Sequence, residues 1–487
     1  MLRLNPTFVS TPTVRLALKL FLLAILLTGC QVTSDTDKDF TPPLAALQQD
    51  PFHSARLSCF LTLKDDQGPA IRLEVASIEV IGDDHRLQLT SGPLTIDSTK
   101  IGTGQLFLGG LAVPPGRYHR LRLTVTKGEV RNDDGQYIVM NADPFNVELD
   151  LTANLVLEPE DSGSIFITWN LQKSLRSDNT LDLDLTGSPS LRQMLINLIF
   201  VSCPDIDTVF IVRADKNWVV DSFGLKGRPT YLAIDPVSSQ LLYVLASRER
   251  MIKTVELSNQ RVINFFPVPL NDEPTFMTIS PDGQSAFLLD ELSGYLSRID
   301  LTTGRSEARV LLGDRPKYAA YLNAQNLLAV SLSLSQKVLL LDPVSLRLKG
   351  TITTGNAPHG LIISENQLFV AEYGDNSVSI ADLASRGGQS RLSVGFGPRF
   401  LQETGDQIYV SNYLDGSLSV LIPGQSAVIQ EIFGLGRPLE MVFNQSYLRL
   451  YVADEAMAAL AVIDTNSNRL LGHIFLGAEP FDLEVIE

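Results

Sequence analysis

Seven prolines recur through the C-terminal three fifths of the chain: Pro229, Pro274, Pro316, Pro358, Pro398, Pro438 and Pro480, separated by 45, 42, 42, 40, 40 and 42 residues. A period in the low forties marks a radial array, in which each unit buries its apolar faces only against its neighbours. After each proline comes a short apolar strand, such as Tyr231-Leu-Ala-Ile, Phe276-Met-Thr-Ile or Gly360-Leu-Ile-Ile. A turn follows, clearest at Ser280-Pro-Asp-Gly283, and then a second strand: Leu242-Tyr-Val, Leu368-Phe-Val, Ile408-Tyr-Val or Leu450-Tyr-Val. A polar loop leads to a third strand, and a fourth runs into a glycine and the next proline. Four short strands per unit without helical periodicity predict a β-propeller blade.

Closure follows from arithmetic. Pro480 is followed by a single strand, so the missing strands must come from upstream. Ile199-Phe-Val-Ser202 lies 30 residues before Pro229, and Ile408-Tyr-Val-Ser411 lies 30 residues before Pro438. Residues 199–228 therefore read as strands two to four of a blade whose first strand is C-terminal. The expectation is a seven-bladed propeller, sewn shut by one C-terminal plus three N-terminal strands, which leaves no free sheet edge.

The repeats resemble the YVTN family of propellers at Tyr409-Val-Ser-Asn412 and Tyr451-Val-Ala-Asp454, with Asn376-Ser-Val-Ser-Ile380 in the third-strand position. The resemblance covers about three fifths of the chain. It implies a propeller, and it points to binding proteins alongside related lactonase-type enzymes.

Residues 1–30 read as an export signal. Arg3, Arg15 and Lys19 precede an apolar run, Leu20 to Leu27, that is too short to span a bilayer. The run ends in Leu27-Thr-Gly-Cys30, which resembles a bacterial lipobox; that resemblance implies lipidation of Cys30 and a lipid anchor in the cell envelope. Gln31 is not the aspartate of inner-membrane retention, so the outer membrane is expected, facing the periplasm or the cell surface. Residues 31–52 are polar, contain Pro42-Pro43 and show no alternation, which predicts a flexible tether reaching roughly 25 Å.

Residues 53–187 alternate with period two, as in Ile71/Leu73/Val75 and Leu121/Leu123/Val125, with a hairpin signal at Asn132-Asp-Asp-Gly135. This suits an antiparallel β-sandwich. The stretch Leu111-Ala-Val-Pro-Pro-Gly-Arg-Tyr118, followed by Leu121-Arg-Leu, is similar to a family of Ig-like domains found in bacterial lipoproteins. The whole is thus an all-β chain: signal (1–30), tether (31–52), Ig-like sandwich (53–187) and propeller (188–487).

A net charge of −16 argues against nucleic acid and anionic membrane surfaces as partners. Of three cysteines, Cys30 is assigned to lipid. Cys59 and Cys203 could bridge the domains or stay reduced in the core, and topology argues against the bridge. No nucleophile elbow, zinc-protease motif, Walker loop or dinucleotide fingerprint occurs, and no two of the five histidines have metal-ligand spacing, so neither cofactor nor metal is expected.

One constellation emerges when the repeats are aligned. The residue after each proline should open the innermost strand at the mouth of the central channel. Around the ring these are Thr230, Thr275, Lys317, His359, Arg399, Leu439 and Phe481, so three consecutive blades place a basic side chain on one arc. Arg315 and Arg437, just before their prolines, could extend it, as could Arg228. Tyr373, Asp375, Tyr413 and Asp415, in the two-to-three loops, should frame it. Such an arc suits a carboxylate or phosphate held by guanidinium forks with tyrosine faces packing its apolar part. Ordinary exposed loop ends rich in Lys and Arg are the plain alternative. The leading functional expectation is a lipid-anchored binding or scaffold protein taking a small anionic ligand or an envelope protein partner. A lactonase-like hydrolase is the rival, with His359 and Glu440 or Asp482 as acid and base.

Overall fold

The computed structural model describes residues 54–487 except 66, 142, 177–179, 192–195, 269–273 and 384–388. The signal, the tether and Cys30 lie outside the described residues. Among those described, no helix is long and apolar enough to cross a membrane.

The propeller is present as expected, with seven four-stranded antiparallel sheets. Blades 1 to 6 span residues 229–267, 276–311, 316–353, 358–393, 398–432 and 438–475, and the strands of each pair in chain order from the innermost outward. Blade 7 joins Leu198–Cys203, Thr208–Arg213 and Trp218–Gly224 to the innermost strand Leu483–Ile486, with Leu198 opposite Ile486 and Val201 opposite Leu483.

The proline period has a mechanical cause. In blades 1, 3, 4, 5 and 6 the proline is the first residue of the innermost strand, and the register slips before the third residue after it. Proline brings no N–H to the ladder, so it is tolerated at a strand start or bulge. The slip leaves an amide unpaired, and a second-strand serine answers it. Ser331 Oγ accepts from Tyr318 N at 3.2 Å and donates to the His359 carbonyl of the next blade at 2.6 Å. Ser202 does the same between Asp482 N (3.0 Å) and the Thr230 carbonyl (2.7 Å), and Ser411 accepts from Phe400 N at 3.1 Å. One hydroxyl thus heals a bulge and ties two blades together.

The tyrosines of the Tyr-Val motif also serve the seams. Tyr451 is fully buried and its hydroxyl donates to Asn217 Oδ1 of blade 7 at 2.7 Å, while the buried Tyr409 hydroxyl reaches Asn468 of blade 6. Asn217 and Asn468 both sit in turns at positive φ (56° and 53°), which asparagine tolerates better than most residues.

The N-terminal domain is all-β, but it carries two parallel pairs where an antiparallel pattern was expected. Its strands are β1 (Ala55–Leu63), β2 (Ile71–Gly82), β3 (Arg86–Gln88), β4 (Leu94–Asp97), β5 (Gln105–Val113), β6 (Gly116–Arg131), β7 (Tyr137–Asn141), β8 (Phe145–Leu157), β9 (Ser162–Asn170) and β10 (Asp184–Ser188). They form one mixed, nearly closed sheet ordered β3-β2-β6-β8-β10-β9-β1-β5, with β4 also on β2 and β7 on β6. β1 and β9 run parallel, with Cys59 opposite Ile165. Both are buried along almost their whole length, as strands covered on two faces are. Cys59, Ile165 and Ile167 point into the domain core, whereas Phe60 and Phe166 point at the propeller. In the Pro-Pro-Gly-Arg-Tyr segment, Tyr118 is buried and its hydroxyl donates to the Pro114 carbonyl at 2.6 Å, pinning the entry to β6.

The second faces of β1 and β9 cover blade 7. Phe60 meets Phe166, Phe107 and Phe210 with ring centroids 5.5, 5.4 and 6.4 Å apart. Gln105 exchanges two hydrogen bonds with the Val219 backbone (2.9 and 2.8 Å), and Trp218 Nε1 donates to the Thr103 carbonyl at 2.9 Å. Cys59 and Cys203 are both buried and free, with no bridge between them; burial pushes the Cys59 thiol up to about 12.

Candidate functional site

The innermost strands of adjacent blades touch all the way around the ring. At the second residue after each proline they present Tyr231, Phe276, Tyr318, Gly360, Phe400, Glu440 and Asp482. The rings form a continuous chain. Phe481 meets Tyr231 at 5.2 Å, Tyr231 meets Phe276 at 4.7 Å, and Phe276 meets Tyr318 at 4.4 Å. Tyr318 of blade 3 then meets Phe400 of blade 5 at 5.9 Å, and Phe400 meets His359 at 5.1 Å. Blade 4 is skipped because it carries Gly360, where a Cβ would lie 2.5 Å from the Arg399 carbonyl oxygen. The missing side chain lets the blade 4 strand tuck against blade 5.

The other side of the channel is acidic. Glu440 and Asp482 are buried, and Glu484 follows two residues further along the last strand. Burial and mutual repulsion push the Glu440 and Glu484 carboxyls well up, and burial pushes Asp482 up to about 7. Asp482 Oδ2 accepts from Leu232 N of blade 1 at 2.7 Å, so this carboxyl also serves a blade seam.

The basic arc is more varied than its sequence suggests. Lys317 Nζ is 2.7 Å from Glu291 Oε2, and Arg315 approaches the same carboxylate at 3.8 Å. Arg437 pairs with Glu455 at 3.7 Å, and that carboxylate also accepts from the Tyr413 hydroxyl at 2.6 Å. His359 is 9% exposed; burial, then the charges of Arg399 and Lys317, hold it well below the ordinary imidazole range, so it is neutral. Its Nδ1 is buried without a hydrogen-bond partner. Arg399 differs from its neighbours. Its guanidinium lies 4.4 Å from the Tyr413 ring centroid and 5.9 Å from that of Phe400, and no salt bridge reaches it among the described residues.

The framing residues divide likewise. Tyr413 stacks with Arg399, with Arg437 at 5.8 Å from the same ring, while Tyr373 is half-buried with its ring edge against Gly397. Asp375 and Asp415 each accept with Oδ2 from a loop amide, of Asn356 (2.8 Å) and Phe396 (2.9 Å), so these carboxylates are turned to the loops beside the arc rather than to the channel mouth. No hydrogen bond joins His359 to Glu440 or Asp482 among the described residues, and none of those residues forms a group of three metal-ligating side chains. Sequence reasoning missed Glu291 and Glu455. Both occupy the loop position that holds Tyr373 and Tyr413 in blades 4 and 5, directly after the second strand, so aligning that position around the ring would have revealed them.

No protein-family profile matches the chain, and no curated protein matches it in sequence. Solved structures do. The chain is similar to a functionally unknown protein from Desulfotomaculum acetoxidans, at 14% identity and a TM-score of 0.53, over 60% of this chain and 99% of that one. A dihydro-heme d1 dehydrogenase, NirN, aligns at 14% identity over 59% of this chain and 65% of that one, with a TM-score of 0.47. Kuenenia stuttgartiensis hydrazine synthase aligns at 15% identity over 52% and 88%, with a TM-score of 0.47. What the chain shares with the first of these is the fold: a propeller, compatible with binding or scaffold roles.

Proposed function

We propose that this is a binding protein of the bacterial cell envelope, anchored by lipid on Cys30, whose propeller mouth receives a small carboxylate- or phosphate-bearing ligand at Arg399. The lipoprotein signal, the Ig-like and YVTN resemblances and the outer-membrane location belong to this proposal. The observation that carries it is the contrast around the mouth. Lys317, Arg315 and Arg437 have carboxylate partners, whereas Arg399 lies over the Tyr413 ring at 4.4 Å with its hydrogen-bonding edge uncommitted. A guanidinium stacked on an aromatic ring is pre-oriented for bidentate recognition of an anion. The chain of rings behind it offers an apolar floor.

A calorimetric and thermal-shift panel of small carboxylates and phosphates tests this. An anion should stabilise the wild type, and Arg399→Ala should weaken its binding about tenfold or more, the cost of a lost charge-assisted pair. A panel without any binder, or binding indifferent to Arg399→Ala, sinks the anion reading and turns attention to an envelope protein partner. The hydrolase reading rests on Asp482, whose raised carboxyl is the group best suited to proton transfer near neutral pH. Turnover of lactones that is lost in Asp482→Asn would favour it.

A further inference from the structure

Blades 4 and 5 solve the same packing problem with opposite charge. In blade 4 the second strand ends in Glu372, which is fully buried and accepts from Gly355 N, Ser377 Oγ and Ser379 Oγ. Arg391 of the fourth strand, opposite Ser379 in register, closes the cluster. Its Nε lies 2.9 Å from Glu372 and its Nη1 3.7 Å from Asp375. Blade 5 repeats this frame 40 residues later. Gly395, Asn412, Asp415, Ser417 and Ser419 stand where Gly355, Glu372, Asp375, Ser377 and Ser379 stood. The residue opposite Ser419, however, is Glu431.

The local geometry carries over. A Cβ on Gly355 would strike Glu372 and Arg391 at 2.6 and 2.7 Å, and one on Gly395 would strike Asn412 and Asp415 at 2.5 and 2.7 Å. Without the guanidinium, blade 5 has an open cleft of about 440 Å³ lined by Gly395, Asp415, Ser417 and Glu431, with Ile429 and Phe433 at its edge. Ser417 and Ser419 turn their hydroxyls onto Asp415 (2.9 Å) and Glu431 Oε1 (2.7 Å). Two acceptors are buried without a hydrogen-bond partner: Glu431 Oε2, and Oδ1 of the fully buried Asn412. Two carboxylates thus share a cleft with no base, and burial together with Asp415 raises the Glu431 carboxyl. Phe433 is 67% exposed beside them.

We propose that this cleft is a receptor for one guanidinium group, the side chain of an arginine on a protein partner, seated between Asp415 and Glu431 as blade 4 seats its own Arg391. The planar fork can meet both carboxylates at once, including the orphaned Glu431 Oε2, which a lysine ammonium does less well. Its aliphatic stem and flanking residues have Phe433 and Ile429 to cover. A divalent cation is disfavoured because, among the described residues, no three His, Cys, Asp or Glu side chains gather there. The cleft is built on the outer strands of blade 5, apart from the innermost strand that carries Arg399.

The test is ligand-observed NMR and calorimetry on the protein with N-acetylarginine amide, its citrulline isostere and calcium chloride as separate probes. Arginine amide is expected to bind at least about tenfold tighter than citrulline amide, and Glu431→Gln to lose that preference. Glu431→Arg, which supplies the guanidinium internally, should abolish binding and raise the Tm. Equal binding of the two amides, arginine binding unchanged in both variants, or calcium binding that depends on Glu431 in the absence of arginine binding would each overturn the proposal.

Discussion

The two sides of the central channel occupy one backbone position and differ in chemistry. Blades 1, 2, 3 and 5 place Tyr231, Phe276, Tyr318 and Phe400 there, and these rings pack on one another; blades 6 and 7 place Glu440 and Asp482, which repel. The aromatic side earns its place by burial and ring contact, independent of pH. The acidic side costs stability whenever its carboxyls ionise, since water no longer solvates them. A repeat architecture dictates where a side chain stands but not what it does, so the positions at which blades depart from each other are where function is to be sought.

Three measurements would break or sharpen this contrast. The largest effect is expected from the aromatic side. Tyr231→Ala and Phe276→Ala should each destabilise by about 3–5 kcal/mol in denaturant unfolding, and their double variant by less than the sum because the rings touch. Additive losses would show that the chain of rings is not a unit. Next comes the acidic side. Folding raises the Asp482 carboxyl from its ordinary 3.8 to about 7, and Glu440 also rises. The folded state therefore keeps protons that the unfolded chain has released. Their contribution is greatest below the ordinary carboxylate range and is lost as pH rises through about 7 for Asp482, with a slope of up to about 1.4 kcal/mol per pH unit for each proton. A Glu440→Gln/Asp482→Asn variant should flatten the fall in Tm across this range; an unchanged slope would place its source elsewhere. The smallest effect belongs to His359, whose shift has the opposite sign. Held neutral in the fold, it costs stability as pH falls below 6.5 and the unfolded chain takes up a proton. His359→Gln should lessen the acid-side loss by no more than about 1.4 kcal/mol per pH unit. Deeper acid sensitivity in the variant would contradict a buried neutral imidazole.

How much of this was legible beforehand depended on whether the signal was periodic. The seven prolines announce a ring because each begins an innermost strand or lies just ahead of one, and the 30-residue offset of Ile199-Phe-Val-Ser202 announces the closing blade because the repeat length is nearly invariant. The parallel pairing of β1 with β9 was hidden, since alternation says which face a residue takes and nothing about the direction of its partner. The mostly apolar, poorly alternating run Leu57-Ser-Cys-Phe-Leu-Thr-Leu63 was the one clue in the sequence that this strand is covered on both sides. The channel mouth was half legible. Lys317, Arg437, Arg399 and the framing Tyr413 were placed by counting, but the state of the first two depends on Glu291 and Glu455, which come from loops whose acidic residues were not aligned. The cleft on blade 5 was visible as the replacement of Arg391 by Glu431 at a spacing of 40 residues, once both positions were known to face the same buried cluster.

The docking of the N-terminal domain on blade 7 bears on the order in which the molecule is assembled. Blade 7 is completed by hydrogen bonds between residues 280 positions apart, Ser202 and Asp482, so three of its strands are made long before the fourth. Such an orphan sheet exposes an unpaired inner edge for the whole time that six further blades are forming, the condition under which β-rich chains misassociate. Phe60, backed by Phe107 and Phe166, meets Phe210 from a domain whose sequence is already complete when the first of those strands begins. The N-terminal domain can therefore act as an intramolecular template, holding the waiting strands in place until the last one arrives.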